Sequence, residues 1–409
     1  MKVSSMRRMD AWVGIPLCFL ATLAEKLAGW FGRRTGEPGE RLLIVKLSEM
    51  GAVVLLEKPI ESLRRTYSRD KMWFLAFEES RPIIEVMDFF PLENMIFIST
   101  KSLAAFAVTA FMAMVRIWRL RPDTVLDLEF FSRASALIIW LTGARRRVGL
   151  YNYFGEGPWR GELMTHGVKF NPHLHISQMF MVLTEAVTMP VGVLQRIEYV
   201  PPPPEPLKTR FKPTGEELKQ VDRILREAGW IEGERIVLLN ANTSDRELIP
   251  LRRWKEENYA ELGRSLLREF PDMRLLLTGA PKEAGAVVEI ERSIDSDRCR
   301  SVAGRTTMRE LLGLYQRSAL MVTNDSGPGH FAAIAGLPVI VLFGPETPLL
   351  WKPLGEQVDV VYRGLACSPC FSACNGRQSG CHRNACMDMT PEEVFLAAHR
   401  MLQSTAPIL

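Results

Sequence analysis

The chain has 409 residues, enough for two ordinary domains, and its 47% hydrophobic and 24% charged composition excludes a wholly disordered protein. A net charge of +4 is mild for this size, and no zinc-finger, RNP or basic-zipper spacing occurs, so no nucleic-acid partner is expected.

The first 35 residues stand apart. An uncharged stretch runs from Ala11 to Ala24, 14 residues interrupted by Gly14 and Pro16, which is too short to span a bilayer. Arg7 and Arg8 precede it as in a signal peptide, but the segment continues through Glu25, Lys26 and Trp30 without a small-residue cleavage pattern. Six Lys/Arg against two acids in residues 1–34, with Trp12 and Trp30 near the apolar ends, predict an interfacial helix on an anionic membrane surface. The alternative is a helix packed on the protein's own core.

From there strand-like and helical patterns alternate. Strands are predicted at 41–47, 71–77, 94–100 and 123–129, with helices at about 58–67, 104–120 and 132–142. Such alternation predicts a parallel sheet covered by helices on both faces. The 104–120 helix carries Phe106, Phe111, Met112, Met114 and Trp118 beside Arg116 and Arg119, a stripe suited to core packing or to extending a membrane-facing surface. Four consecutive prolines, 201–204, open a stiff connector at 201–213. Beyond it a helix leads into strands at 235–241, 273–279, 319–325 and 338–344. The expected organisation is an N-terminal segment (1–35), a first Rossmann-like α/β domain (36–200), the linker, and a second Rossmann-like domain (214–409).

In such folds ligands sit beyond the carboxyl ends of the strands, where helix N-termini attract anions. The segment Asn324-Asp325-Ser326-Gly327-Pro328-Gly329-His330 has that construction. Ser326 is expected to cap the helix, Pro328 suits its first turn, and Gly327 and Gly329 let a ligand approach the backbone. A second strand end offers the Thr243 and Ser244 hydroxyls, followed by Arg252 and Arg253, groups suited to a diphosphate. A third places Glu283 where a carboxylate can accept from ribose hydroxyls. No Walker A motif occurs and no G-x-G-x-x-G follows these strands, which excludes the usual P-loop and NAD signatures.

The segments "IVKLSEMGAV", "RLLLTGAPKE" and "NDSGPGHFAAIAGLPVIVLFGPETP" together resemble glycosyltransferase family 9, the ADP-heptose:lipopolysaccharide heptosyltransferases, over roughly residues 40–403. The resemblance implies a GT-B fold with two parallel sheets facing a central cleft. It further implies inverting transfer of heptose or a similar sugar from a nucleotide-diphospho sugar to a lipopolysaccharide-type or lipid-linked acceptor, in the cytoplasm on the inner membrane. On that basis Asp325, Ser326, Gly327 and His330 match the donor diphosphate turn, Thr243 and Ser244 the hydroxyl pair beside it, Arg252 the basic residue before Trp254, and Glu283 the ribose carboxylate.

The first-domain loop departs from the family pattern K-x-S-x-x-G-D. Lys46, Ser48 and Gly51 are in place, with Ser48 and Gly51 on the donor side, but Ala52 stands where the family has its expected aspartate base. Glu49 in the same turn is the replacement we expect, and Glu57 is a more distant one. A catalytically impaired nucleotide-sugar-binding protein of the same fold is the alternative, and a sugar-nucleotide epimerase a third reading. No cofactor is expected to be required for catalysis. Five of the seven cysteines fall in residues 367–386 with the spacing C-x2-C-x3-C-x6-C-x4-C. They can supply thiolates to a structural zinc or an iron–sulfur cluster, or remain reduced; disulfides do not suit a cytoplasmic enzyme.

Overall fold

The computed structural model describes residues 10, 12–30, 38–190, 197–208, 211–242, 250–376 and 379–404. The chain divides into two compact units, residues 1–204 with 371–378, and residues 205–370 with 379–409. The boundary falls at the end of the four-proline run. Part of the cysteine-rich loop belongs to the first unit, whereas the sequence reading places the whole loop in the second domain.

Unit 1 opens with helix α1 (Gly14–Trp30), then runs β1 (Leu42–Val45), α2 (Met50–Val54), α3 (Glu57–Leu63), β2 (Met72–Phe77), α4 (Arg81–Met87), β3 (Met95–Ile98), α5 (Leu103–Leu120), β4 (Thr124–Asp127), α6 (Arg133–Leu141), β5 (Arg146–Tyr151), β6 (His166–Lys169) and α7 (Ile176–Glu185). Its six strands are parallel in the order β3-β2-β1-β4-β5-β6. Unbroken apolar runs such as Leu42–Val45 are buried on both faces, as a helix-covered parallel sheet requires. The order reverses between β1 and β4, whose register pairs Leu42 with Thr124 and Val45 with Asp127. The turns after β1 and β4 therefore emerge side by side at the place where such sheets bind ligands.

One central strand, β5, departs from the apolar pattern. β5 begins with Arg146 and Arg147, both buried. Arg146 donates to the Val187 and Met189 carbonyls, and Arg147 to those of Leu163 and Ala144 and to Glu25. The partners that make charge acceptable inside a strand are remote in sequence.

Unit 2 contains α8 (Gly215–Glu227), β7 (Arg235–Asn240), α9 (Glu256–Glu269), β8 (Met273–Leu277), α10 (Ala284–Ile294), β9 (Cys299–Ser301), α11 (Met308–Gln316), β10 (Leu320–Asn324), α12 (Gly327–Ala335), β11 (Val339–Phe343), the short α13 (Pro348–Trp351), β12 (Val358–Tyr362) and α14 (Pro391–Ser404). Its strands are also parallel, in the order β12-β11-β10-β7-β8-β9, the same doubly wound pattern. Capping boxes from Thr214 with Glu217 and from Thr307 with Glu310 start α8 and α11. One apolar core, from Val237 on β7 through Leu266 on α9 and Leu342 on β11 to Leu402 on α14, holds the sheet under its helices. The reversal here lies between β10 and β7, so the turn after β10 occupies the corresponding position.

Candidate active site

The turn after β10 begins with Asn324, fully buried, whose side chain ties two neighbouring segments together. Its Nδ2 donates to the Ala241 carbonyl at 2.9 Å, and its Oδ1 accepts from the Trp254 amide at 3.0 Å. Trp254 is itself fixed by Nε1 donating to the Met389 carbonyl at 2.8 Å. These bonds set the chain around 252–254 against the strand end and bring Arg252 over Asp325.

Arg252 then lies between two carboxyls. Its Nε is 3.4 Å from Asp325 Oδ2 and its Nη2 is 3.7 Å from Glu346 Oε2, while Nη1 donates to the Asp325 carbonyl. Asp325 Oδ2 and Glu346 Oε2 are buried and accept no hydrogen bond from the described residues. Burial pushes Glu346 up to about 8, with Arg252 pulling it down and Asp325 pushing further up. Burial likewise raises Asp325 against the pull of Arg252. A Glu346 that keeps its proton near neutral pH adds no negative charge beside the Arg252 guanidinium, which suits an anionic ligand.

The helix that follows, α12, contributes its N-terminus to the same turn, with Pro328 in its first turn as expected. Ser326 does not cap it. Its extended backbone turns the hydroxyl back to donate to the Asn324 carbonyl at 3.2 Å, and no side-chain bond reaches the helix amides. His330 is buried one turn into the helix. Glu283, in the turn after β8, accepts from the Ala280 amide at 2.8 Å and so ties down its own loop. Thr243 and Ser244 lie outside the described residues.

In unit 1 the turn after β1 is a network of charge. Lys46, fully buried, donates to Glu49 Oε2 at 3.0 Å and to Glu129 Oε1 at 3.1 Å. Glu129 Oε1 also accepts from the Ser48 amide at 2.9 Å, and the Ser48 hydroxyl lies 3.4–3.5 Å from both its oxygens. The 127–129 turn is braced in its own right, because Asp127 accepts from the Glu129 amide, from Ser135 Oγ and from Arg160 Nη1. Glu49 sits at φ 69°, a left-handed conformation uncommon for a non-glycine residue, at the start of the short α2 that contains Gly51. Ala52 is buried within that helix, and Glu57 is buried at the start of α3.

Sequence reasoning missed Glu129 and Glu346. Each follows a central strand within three residues, β4 and β11 respectively, and strand-end position was the signal that would have marked them. The cysteines of the loop are all free thiols, Cys367 exposed, Cys370, Cys374 and Cys381 half-buried, and Cys386 buried. Burial, then the Cys370, Cys381 and Cys367 thiols, push Cys386 up to about 11. No three His, Cys, Asp or Glu side chains among the described residues are grouped as metal ligands.

Two doubly wound parallel units, each with a charged turn at its strand reversal, define the GT-B class of α/β proteins. The sequence model of glycosyltransferase family 9 (heptosyltransferase) matches residues 120–378, and the chain belongs to that family. It is 29% identical over 185 residues to lipopolysaccharide heptosyltransferase 2 of Salmonella typhimurium, covering 42% of this chain and 52% of that one. The chain spans about half the length of the curated relatives it matches first. The fold is similar to that of ADP-heptose lps heptosyltransferase II of E. coli, with a TM-score of 0.64 at 19% identity over 89% of this chain and 98% of that one. It is also similar to a glycosyl transferase of family 9 from Veillonella parvula, with a TM-score of 0.66 at 15% identity over 91% and 100%.

Proposed function

We propose that the protein is an inverting glycosyltransferase that moves heptose or a similar sugar from a nucleotide-diphospho sugar to a lipopolysaccharide-type or lipid-linked acceptor, on the cytoplasmic surface of the inner membrane. The observation that carries this reading is the Asp325–Arg252–Glu346 cluster at the head of α12. A half-buried guanidinium beside two buried carboxyls, of which Glu346 keeps its proton near neutral pH, and a helix N-terminus is suited to a diphosphate. These groups stabilise the nucleoside diphosphate as it leaves with the electron pair of the anomeric C–O bond. Their positive potential is the basis for proposing transfer without a metal ion.

In unit 1, Glu49 takes the acceptor hydroxyl's proton as that oxygen bonds to the anomeric carbon. Its carboxylate is tethered through Lys46 and is 21% exposed, unlike the more deeply buried Glu129. Glu129 is the positioning residue: by holding Lys46 and the Ser48 amide it fixes the turn that presents Glu49.

The test is transfer from a panel of ADP- and UDP-sugars to lipopolysaccharide core and lipid-linked acceptors, followed by mass spectrometry, with the product anomer read by NMR. Activity that vanishes in EDTA and returns with magnesium contradicts the metal-free step. A structural metal at the cysteine loop is a separate proposal, checked by elemental analysis of the purified protein. The buried methyl of Ala52, where the family pattern has an aspartate, favours a second reading, a nucleotide-sugar-binding protein without turnover. Donor binding with no transfer to any acceptor selects it.

A further inference from the structure

Helices α1 and α5 share a feature unusual in a soluble fold: each is apolar on the side that packs and on the side that does not. α1 packs through a narrow stripe, Gly14, Cys18, Ala21 and Thr22, against α6 and the 161–163 loop. It is locked there by Glu25, which accepts from Arg147 at 2.5 Å and Trp140 at 2.9 Å. On the rest of its surface Phe19 and Leu20 are 60% and 58% exposed.

α5 buries Ala113 and Ile117 against β1, β2 and β3, and turns Val108, Phe111, Met112 and Trp118 outward. Phe111 and Met112 are 66% and 63% exposed. Of the 18 residues of this apolar helix only Ala113 and Ile117 are buried. Both helices lie on one face of the sheet. α5 and α6 contribute to the same core, α1 packs on α6, and the indole of Trp118 donates to the Leu141 carbonyl at the end of α6.

Charge distinguishes the occupant. At the C-terminal end of α5, an open pocket of about 620 Å³ is lined by Arg41, Val115, Trp118, Arg119 and Arg121. α5 contains no acidic residue, and the single acid of α1, Glu25, is turned inward. A second copy of the two helices would thus bring chiefly arginines, the flanking carboxylates being Asp123, held by the Arg41 amide, and Glu162, paired with Lys26. An apolar helical surface ending in arginines and an interfacial tryptophan instead matches the hydrocarbon, phosphate and glycerol layers of an anionic leaflet.

We propose that unit 1 docks on anionic bilayers through α1 and α5 together, with the Arg41–Arg119–Arg121 pocket taking a lipid phosphate. This rests on the membrane-surface reading above and extends it from the N-terminal segment to α5. A surface of two helices explains why α5, which carries Arg116 and Arg119 near its C-terminal end, does not need to cross the membrane. It also places the arginines at the N-terminal edge of the strands, away from the strand ends that carry the site.

Flotation of the full chain with phosphatidylglycerol-containing and phosphatidylcholine vesicles tests it. The wild type is expected to float with the former only. Arg119→Glu/Arg121→Glu should weaken partitioning by at least about 25-fold, at roughly fivefold per basic charge. Phe111→Ser/Met112→Ser should weaken it comparably; these side chains are exposed, and thermal melts check that the fold is kept. If both α5 variants float as the wild type does while Phe19→Ser/Leu20→Ser does not, α1 docks alone and the proposal falls, though the membrane reading stands. If the wild type floats with no vesicle, both fall. A dimer in sedimentation that Phe111→Ser/Met112→Ser dissolves, without flotation, also overturns it by making the face a self-contact.

Discussion

Each unit sets a basic side chain between two carboxyls at the end of a central strand, Lys46 buried and Arg252 half-buried, and the two arrangements differ in how tightly they close. In unit 1, Lys46 meets Glu49 and Glu129 at 3.0 and 3.1 Å, and Glu129 has further donors in the Ser48 amide and hydroxyl. In unit 2, Arg252 meets Asp325 and Glu346 at 3.4 and 3.7 Å, and one oxygen of each carboxyl accepts no hydrogen bond from the described residues. A closed network holds one geometry and suits the task of presenting a base. An open one has buried carboxyl oxygens that accept nothing from the described residues, and in a buried setting that is the mark of a place completed by a ligand.

The comparison breaks most sharply at Glu49. If the unit 1 turn presents a base, Glu49→Gln should lower kcat by about 10²–10⁴-fold while leaving donor affinity nearly unchanged, since a general base acts on the transition state and not on ground-state binding. Steady-state kinetics beside calorimetric titration with ADP separate the two quantities. Wild-type turnover in this variant would move the base elsewhere. Ala52→Asp is a poor rescue in this structure, because Ala52 is buried and a carboxylate there has no solvent.

Lys46→Met tests whether the network is structural as well. It strands two carboxylates around a fully buried position, and removing one partner of a buried ion pair costs about 3–5 kcal/mol. Denaturant unfolding should show a loss of that order. A loss below about 1 kcal/mol would mean that the turn is held by backbone and Ser48 alone.

How far these turns were legible beforehand depends on where their partners lie. The strands predicted at 41–47, 235–241, 319–325 and 338–344 are present because apolar runs buried on both faces read the same in sequence as in structure. The turn Asp325–His330 was legible because Gly, Pro and Ser follow a strand end directly. β5 was not, since the groups that neutralise Arg146 and Arg147 come from Glu25, Leu163 and Val187. Glu129 and Glu346 escaped for a similar reason: each is an ordinary acid until the fold sets it against Lys46 or Arg252. Ser326 shows the reverse error, a good capping residue by type whose hydroxyl the local backbone turns away.

On the unit 2 side, Arg252→Gln keeps a donor in place but removes the charge. A hydrogen bond to a charged group contributes about 1.5–3 kcal/mol, so ADP affinity should fall roughly 10–150-fold. Glu49→Gln in the same titration should not move it. Equal losses from both variants would erase the division of labour between the turns.

The smallest effect is the most specific. Glu346 holds its proton to about 8, so at neutral pH it adds no negative charge beside Arg252. Above that pH it ionises and repels a diphosphate. ADP affinity should therefore weaken between about pH 7 and 9, by no more than about tenfold per pH unit for a single titrating group. Glu346→Gln should keep its affinity level across that interval. Stability offers an independent reading of the same group. The unfolded chain releases this proton near the ordinary carboxylate range while the fold retains it, so the wild type should lose stability as pH rises from there towards about 8, and Glu346→Gln should lose less. If wild-type affinity is level from pH 7 to 9, Glu346 is already ionised at neutral pH. Arg252 is then neutralised before any ligand arrives, and the helix N-terminus alone must account for diphosphate binding.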